Sequence, residues 1–211
     1  MIKVEPKPIV FVVDDDVSVR ESLELMIAEA GFKPELFASA QEFLARPPAA
    51  VASCLVLDVE MPGLNGLDLQ ERIASDRSEM PILFLTGHGD IPKTVRAMKA
   101  GAAEFFTKPF ATEVLLQAIA RAIERSRVAF VEAGELRELR SRHASLTPRE
   151  REVMALVVSG LLNKQVGGKL DISEITVKAH RGKVMEKMQA KSFADLVRMG
   201  ERLQVAPPAN S

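Results

Sequence analysis

Ile9-Val10-Phe11-Val12-Val13 is an unbroken apolar run rich in β-branched residues. With no polar face to give to water, it reads as a strand buried on both sides. Cys54-Leu55-Val56-Leu57 and Ile82-Leu83-Phe84-Leu85 repeat the pattern, Lys33–Phe37 is a weaker version, and a last strand covers Ala103–Thr107. Helical stretches separate them. Ser18-x-x-Glu21 reads as a capping box, followed by Val19, Leu23, Ile27 and Ala30 on one face and a stop at Gly31. Ser39–Ala45, Gly66–Ser75 and Ile91–Ala100 complete the alternation. This order predicts an α/β doubly wound, five-stranded parallel sheet. Sites in such sheets lie beyond the carboxyl ends of the strands.

Those ends are polar. The first strand runs into Asp14-Asp15-Asp16, the third into Asp58, the fourth into Thr86 and the fifth into Lys108-Pro109. Singly, each has an ordinary explanation: a solvated helix start, a turn carboxylate, a turn hydroxyl, a surface cation. Packed together on one edge, the three carboxylates repel and call for a divalent cation. Hard oxygen ligands in small number suit Mg²⁺, which also binds phosphate oxygens. A carboxylate there can act as a nucleophile and form an acyl phosphate. Lys108 and Thr86 are suited to stabilise the transferring group.

Val13-Asp14-Asp15-Asp16, Leu57-Asp58-x-x-Met61-Pro62-Gly63-x-x-Gly66, Leu85-Thr86-Gly87-His88-Gly89-Asp90 and Lys108-Pro109-Phe110 resemble a response-regulator receiver domain, flavodoxin-like in fold, over about residues 7–125. The resemblance implies that Asp58 accepts phosphate from a sensor histidine kinase. It implies that Asp15, Asp58 and the Glu60 carbonyl bind Mg²⁺, with Asp14 acting largely through water. Thr86 and Phe105 are then the switch residues beside Lys108, and the Lys108–Pro109 bond is expected to be cis. Phe105 stands where many members carry tyrosine, so switching would proceed by ring packing. Glu60 puts an acid near the phosphoryl site and is expected to alter dephosphorylation.

The net charge of −1 hides a split. Residues 1–110 carry 11 Lys/Arg against 17 Asp/Glu, a net −6, and residues 111–211 carry 17 against 12, a net +5. Two domains with different partners are expected, the basic half a candidate for nucleic acid. Thr147, Pro148 and Glu150 open a helix that stops at Gly160. A short helix Asn163–Leu170, a turn Asp171-Ile172-Ser173 and a longer helix Glu174–Met188 follow, then Ser192 caps a last helix to about Val205. Two helices joined by a short turn, the second basic, read as helix-turn-helix. Ile175, Val184 and Met188 are expected to face inward with Met185, and Lys178, Arg181 and Lys183 outward.

Leu146-Thr147-x-Arg149-Glu150-x-Glu152-Val153, Gly160-x-x-Asn163-Lys164 and Ile172-Ser173-x-x-Thr176-Val177-Lys178-x-His180 resemble the LuxR-type DNA-binding domain. With the receiver, this is similar to the FixJ/NarL-like response regulators. The resemblance places Lys178, Ala179 and Gly182 nearest base edges, with Lys164, Thr176, Arg181 and Lys183 as phosphate or flanking contacts and His180 as a packed or capping residue. It implies a transcription factor that dimerises when phosphorylated, binds double-stranded promoter DNA and works with RNA polymerase, activation being the commoner outcome. Gly167, Gly168 and Gly182 each cost a helix about 1 kcal/mol against alanine.

The expected domains are a receiver at 1–125, a helical linker at 126–143 with a kink or break near Gly134, and a helix-turn-helix domain at 144–211. Ala206–Ser211 is expected to be a disordered tail. One rival is a haloacid-dehalogenase-like phosphotransferase, for which Asp14-x-Asp16 fits superficially; its later acidic pair is missing, because no Asp occurs between Asp90 and Asp171. Another is a receiver whose helices contact a protein or RNA. The expected activity is self-phosphorylation and slow self-dephosphorylation rather than enzymatic turnover. No apolar run is long enough for a membrane span, the N-terminus lacks an apolar signal core, and Cys54 is the single cysteine. A cytoplasmic chain without membrane partners is therefore expected.

Overall fold

The computed structural model describes residues 6–87 and 91–205. His88, Gly89 and Asp90 of the threonine motif and the expected tail Ala206–Ser211 lie outside the described residues, as do residues 1–5. The chain divides into two compact units, Met1–Val131 and Glu132–Ser211.

In the first unit, strands β1 (Ile9–Val13), β2 (Lys33–Phe37), β3 (Ser53–Asp58), β4 (Ile82–Thr86) and β5 (Glu104–Thr107) form one parallel sheet in the order β2-β1-β3-β4-β5. Helices α1 (Val17–Glu29), α2 (Ala40–Ala45), α3 (Gly66–Ile73) and α4 (Ile91–Lys99) connect them, and α5 (Thr112–Ala144) follows β5. Because side chains alternate along a strand, β1 supplies two cores. Ile9, Phe11 and Val13 pack with Phe43, Leu69, Ile73 and Ala97 on one face. Val10 and Val12 pack with Leu23, Ile27, Leu115 and Ile119 on the other. That two-sided burial explains why β1 carries no polar residue. The register pairs Val13 with both Phe37 and Leu57. Asp14 therefore leaves β1 in the row where Asp58 ends β3.

The capping box expected at Ser18 does not form. Helix α1 starts two residues earlier than that cap would place it, with Asp16 as N-cap. The Asp16 carboxylate accepts the Ser18 amide at 2.8 Å and the Ser18 hydroxyl at 2.6 Å. A charged acceptor with room for two donors outcompetes the neutral hydroxyl for the cap position.

Helix α5 runs uninterrupted through Gly134, so the expected break is absent, and residues 126–143 are divided between the two units. Ser126 is buried, and its Oγ accepts the Ser53 amide at 2.9 Å at the start of β3. Leu139 is buried in the core of the second unit.

The second unit contains α6 (Pro148–Val158), α7 (Asn163–Leu170), α8 (Glu174–Met188) and α9 (Phe193–Arg202). Val153, Val157, Val166, Val177, Val184, Met188 and Leu196 form its core. The Thr147 capping box is complete: Oγ1 accepts the Glu150 amide at 3.2 Å and Glu150 Oε2 accepts the Thr147 amide at 2.8 Å. Gly167 is explained by the turn between α7 and α8, since a Cβ there would meet the Ile172 carbonyl oxygen at 2.7 Å. Ile175 is not inward as expected but 80% exposed. At about 100° per residue it lies half a turn away from the buried Val184, so the two cannot share the core face.

Candidate functional site

Asp14 and Asp58 are buried and Asp15 is exposed, yet each offers a carboxylate oxygen within 4.8 Å of the others. Among the described residues this trio is the acidic group able to hold a metal. Three carboxylates at that spacing and no softer donor fit a hard cation held by oxygen.

Lys108 provides the counter-charge on the protein's side. Its Nζ donates to Asp14 Oδ2 at 2.7 Å and to Asp58 Oδ2 at 2.6 Å. The loop that brings it there leaves β5 through a cis Lys108–Pro109 bond, as expected, and the Lys108 amide donates to the Thr86 carbonyl at 2.7 Å. Burial works to lower the Lys108 ammonium, but its bonds to Asp14 and Asp58 outweigh that and hold it above its ordinary value. Burial raises the Asp14 carboxyl, against the opposing pull of the Lys108 bond and the Asp16 amide. The other Asp58 oxygen, Oδ1, accepts the Glu60 amide at 2.9 Å, so both oxygens of this carboxylate are oriented. Thr86 is fully buried at the end of β4. The Phe105 ring on β5 packs 5.9 Å from that of Phe84.

Three side chains make contacts that had no signal in the chain. Arg20 Nη1 donates to the Asp14 carbonyl at 2.6 Å, holding the peptide between Asp14 and Asp15. Lys93 Nζ lies 2.7 Å from Glu60 Oε1 and ties α4 to the loop after β3. Arg96 reaches Asp68 at 3.2 Å and Glu71 at 2.7 Å on α3. The last two join separate elements, and spacing along the chain does not reveal which side chains meet.

In the second unit, α7 and α8 carry Lys164, Lys178, Ala179, Gly182 and Lys183 on exposed positions. Lys178 also lies 3.2 Å from Glu174 one turn earlier. Arg181 is less outward than expected. It donates to Asn163 Oδ1 at 3.2 Å and its guanidinium stacks 4.4 Å from the centre of the Phe193 ring. Thr176 is half-buried and occupied by the Ser173 cap, Oγ to Oγ1 at 2.8 Å. His180 is half-buried, and its buried Nδ1 has no hydrogen-bond partner among the described residues. Below the helix, Lys187 Nζ pairs at 2.6 Å with the buried Glu150.

A doubly wound sheet with buried acids and one lysine at its carboxyl edge, joined to a helix-turn-helix unit, is the build of a DNA-binding regulator governed by phosphorylation. Residues 10–120 match the response regulator receiver domain, and residues 144–200 match the luxR family of bacterial regulatory proteins. The chain is 50% identical over 200 residues to nodulation protein W of Bradyrhizobium diazoefficiens, covering 95% of this chain and 88% of that protein. It is 43% identical over 193 residues to the transcriptional regulatory protein FixJ of the same organism, covering 92% of this chain and 94% of that one. The solved structure of the response regulator StyR is similar with a TM-score of 0.80 at 46% identity, covering 93% of this chain and 100% of that one. The chain belongs to the response regulators with a LuxR-type DNA-binding domain. It is a phosphorylation-dependent transcription regulator, a class that works with a histidine kinase. No described helix is long and apolar enough to cross a membrane.

Proposed function

We propose that Asp58 is the phosphoacceptor. The observation that carries this reading is the Lys108 ammonium bridging Asp14 and Asp58 at 2.7 and 2.6 Å. A cation beside Asp58 supports the reading, because an incoming phosphoryl oxygen needs such a counter-charge. An Asp58 oxygen attacks phosphorus of a phosphohistidine on the sensor kinase; the P–O bond forms as the P–N bond breaks. The imidazole nitrogen leaves with the electron pair and takes a proton from solvent. Asp15, Asp58 and the Glu60 carbonyl would hold Mg²⁺, and Asp14 would support it from beside them. When bound, Mg²⁺ neutralises charge on the carboxylates and on the transferring phosphoryl oxygens.

The acyl phosphate engages the Thr86 hydroxyl and Lys108, and the Phe105 ring repacks. The chain thus phosphorylates itself and slowly loses the phosphate again. Repacking biases the face formed by α4, β5 and the start of α5 toward a homodimer. Two copies of α8 then enter successive major grooves of promoter DNA, on an inverted repeat spaced by roughly 10 bp. Lys178, Ala179 and Gly182 face base edges. Lys164, Thr176 and Lys183 contact phosphates or flanks, and Arg181, held by Asn163 and Phe193, orients α7 against α8. Bound dimers act on RNA polymerase and raise transcription, in the cytoplasm.

Treating the wild type and Asp58→Asn with acetyl phosphate and Mg²⁺ tests the reading. Wild type gains one hydroxylamine-labile phosphoryl group and binds its DNA more tightly, and the variant does neither. Phosphate uptake by the variant equal to wild type would overturn it.

A further inference from the structure

We propose that Ile175 is a base-reading residue that packs on thymine C5-methyl groups in the major groove. The inference rests on α8 being the reading helix and adds a residue to that helix.

Ile175, Ala179 and Gly182 are spaced i, i+4 and i+7 and are all exposed on α8, with Lys178 and Lys183 beside them. A cationic helix of 15 residues thus keeps an apolar stripe facing outward. None of the three is there for the fold. The core side of α8 is supplied by Val177, Val184 and Met188, while Ile175 is 80% exposed. A Cβ added at Gly182 would meet nothing within 4 Å among the described residues. A glycine that lowers helix stability without relieving an internal clash is best explained by close approach of something outside the chain.

The first turn that carries Ile175 is held in place. Ser173 Oγ accepts the Thr176 amide at 3.1 Å and also bonds the Thr176 hydroxyl. Ile itself has one dominant χ1 rotamer in a helix. Residues at the start of a recognition helix are those that reach base edges. Isoleucine has no donor or acceptor, so it can select a base only by apolar contact. The apolar group displayed in the major groove is the thymine C5-methyl. Each half-site should therefore contain a thymine whose methyl group, rather than its hydrogen-bonding edge, is read here.

The test uses the full chain, treated with acetyl phosphate and Mg²⁺, to select a duplex from random sequence. Each thymine of the half-site is then replaced singly by uracil, which keeps the hydrogen-bonding edge and lacks the methyl. Wild type should lose about fourfold in affinity at one or two positions, the effect of one buried methyl-sized group. Ile175→Ala should bind the thymine duplex with the same loss, show no further loss on uracil, and keep wild-type affinity for random duplex. Equal wild-type affinity for thymine and uracil at every position would overturn the proposal, as would unchanged binding by Ile175→Ala. If wild type does not prefer the selected duplex over random sequence, α8 is not the reading helix and both assignments fall.

Discussion

Lys108 Nζ lies 2.6 Å from Asp58 Oδ2 while the same nitrogen holds Asp14 at 2.7 Å, so one ammonium serves two buried carboxylates. Removing it leaves like charges facing each other. Lys108→Met, matched in length, should lower the melting temperature in the absence of divalent cation by the equivalent of about 1–3 kcal/mol. Mg²⁺ should restore most of that loss and should bind several-fold more tightly than to wild type, since no ammonium competes for the carboxylates. Phosphoryl uptake should nonetheless slow by about 100-fold. Calorimetric titration and a time course with acetyl phosphate measure the two effects separately.

Gly66 opens α3 directly beneath the phosphoacceptor. A Cβ there would sit 2.3 Å from the Asp58 carbonyl oxygen, a backbone atom with nowhere to go. Gly66→Ala should destabilise the first unit by about 2–3 kcal/mol, comparable to overpacking a core. It should also slow phosphorylation at temperatures where the variant remains folded. Gly63, which has φ +80 in the same loop, should tolerate Asn better than Ala because Asn adopts the left-handed region more readily. Urea unfolding of the three variants ranks them.

Ile91, Val95 and Met98 lie exposed along α4, whose one fully buried residue is Ala97. They have no core role to lose. Val95→Glu should leave stability within about 0.5 kcal/mol of wild type. With acetyl phosphate and Mg²⁺ it should remain monomeric in sedimentation while wild type dimerises. A dimeric phosphorylated variant would place the contact on another face.

Glu150 is held below the usual carboxylate range, chiefly by the Lys187 bond and then by the Thr147 amide. A lowered carboxyl stabilises the folded state fully above its unfolded pKa and loses that contribution as pH falls through the folded value. The second unit should therefore lose stability as pH drops below about 4.5, the ordinary value for glutamate. Glu150→Gln can still cap the Thr147 amide but cannot pair with Lys187, which is a third exposed. It should cost about 1 kcal/mol at pH 7 and flatten the acid limb of the melting curve.

Gly182→Ala separates folding from recognition. With open space around the position, alanine should raise the stability of the second unit by up to about 1 kcal/mol. If DNA approaches the helix there, affinity for the selected duplex should fall at least tenfold at the same time. A variant gaining stability with unchanged affinity would mean that the glycine is incidental.

Much of this architecture was legible residue by residue. The apolar run at 9–13 already required burial on both faces, and the Thr147-Pro148-Arg149-Glu150 start formed the capping box its chemistry prescribes. Ser18 misled because two cap candidates stood two residues apart, and the stronger acceptor, Asp16, took the role. Ile175 misled because its distance from Val184 places it half a turn from the core, a matter of angle and not of hydropathy. By charge alone Arg181 belongs with the outward cations, but the Phe193 ring beneath its guanidinium turns it toward the protein.

Sequence alone determined what depends on a few neighbouring residues: strand burial, caps, turn glycines, and the kinds of side chain ending each strand. Tertiary structure alone decided the partners. Lys108 meets Asp14 across 94 residues and Asp58 across 50, and Lys93 meets Glu60 across 33. Local rules fix the direction in which a chain leaves a strand. Only the packed sheet, with its register and helix angles, sets which charges end up within 3 Å of each other.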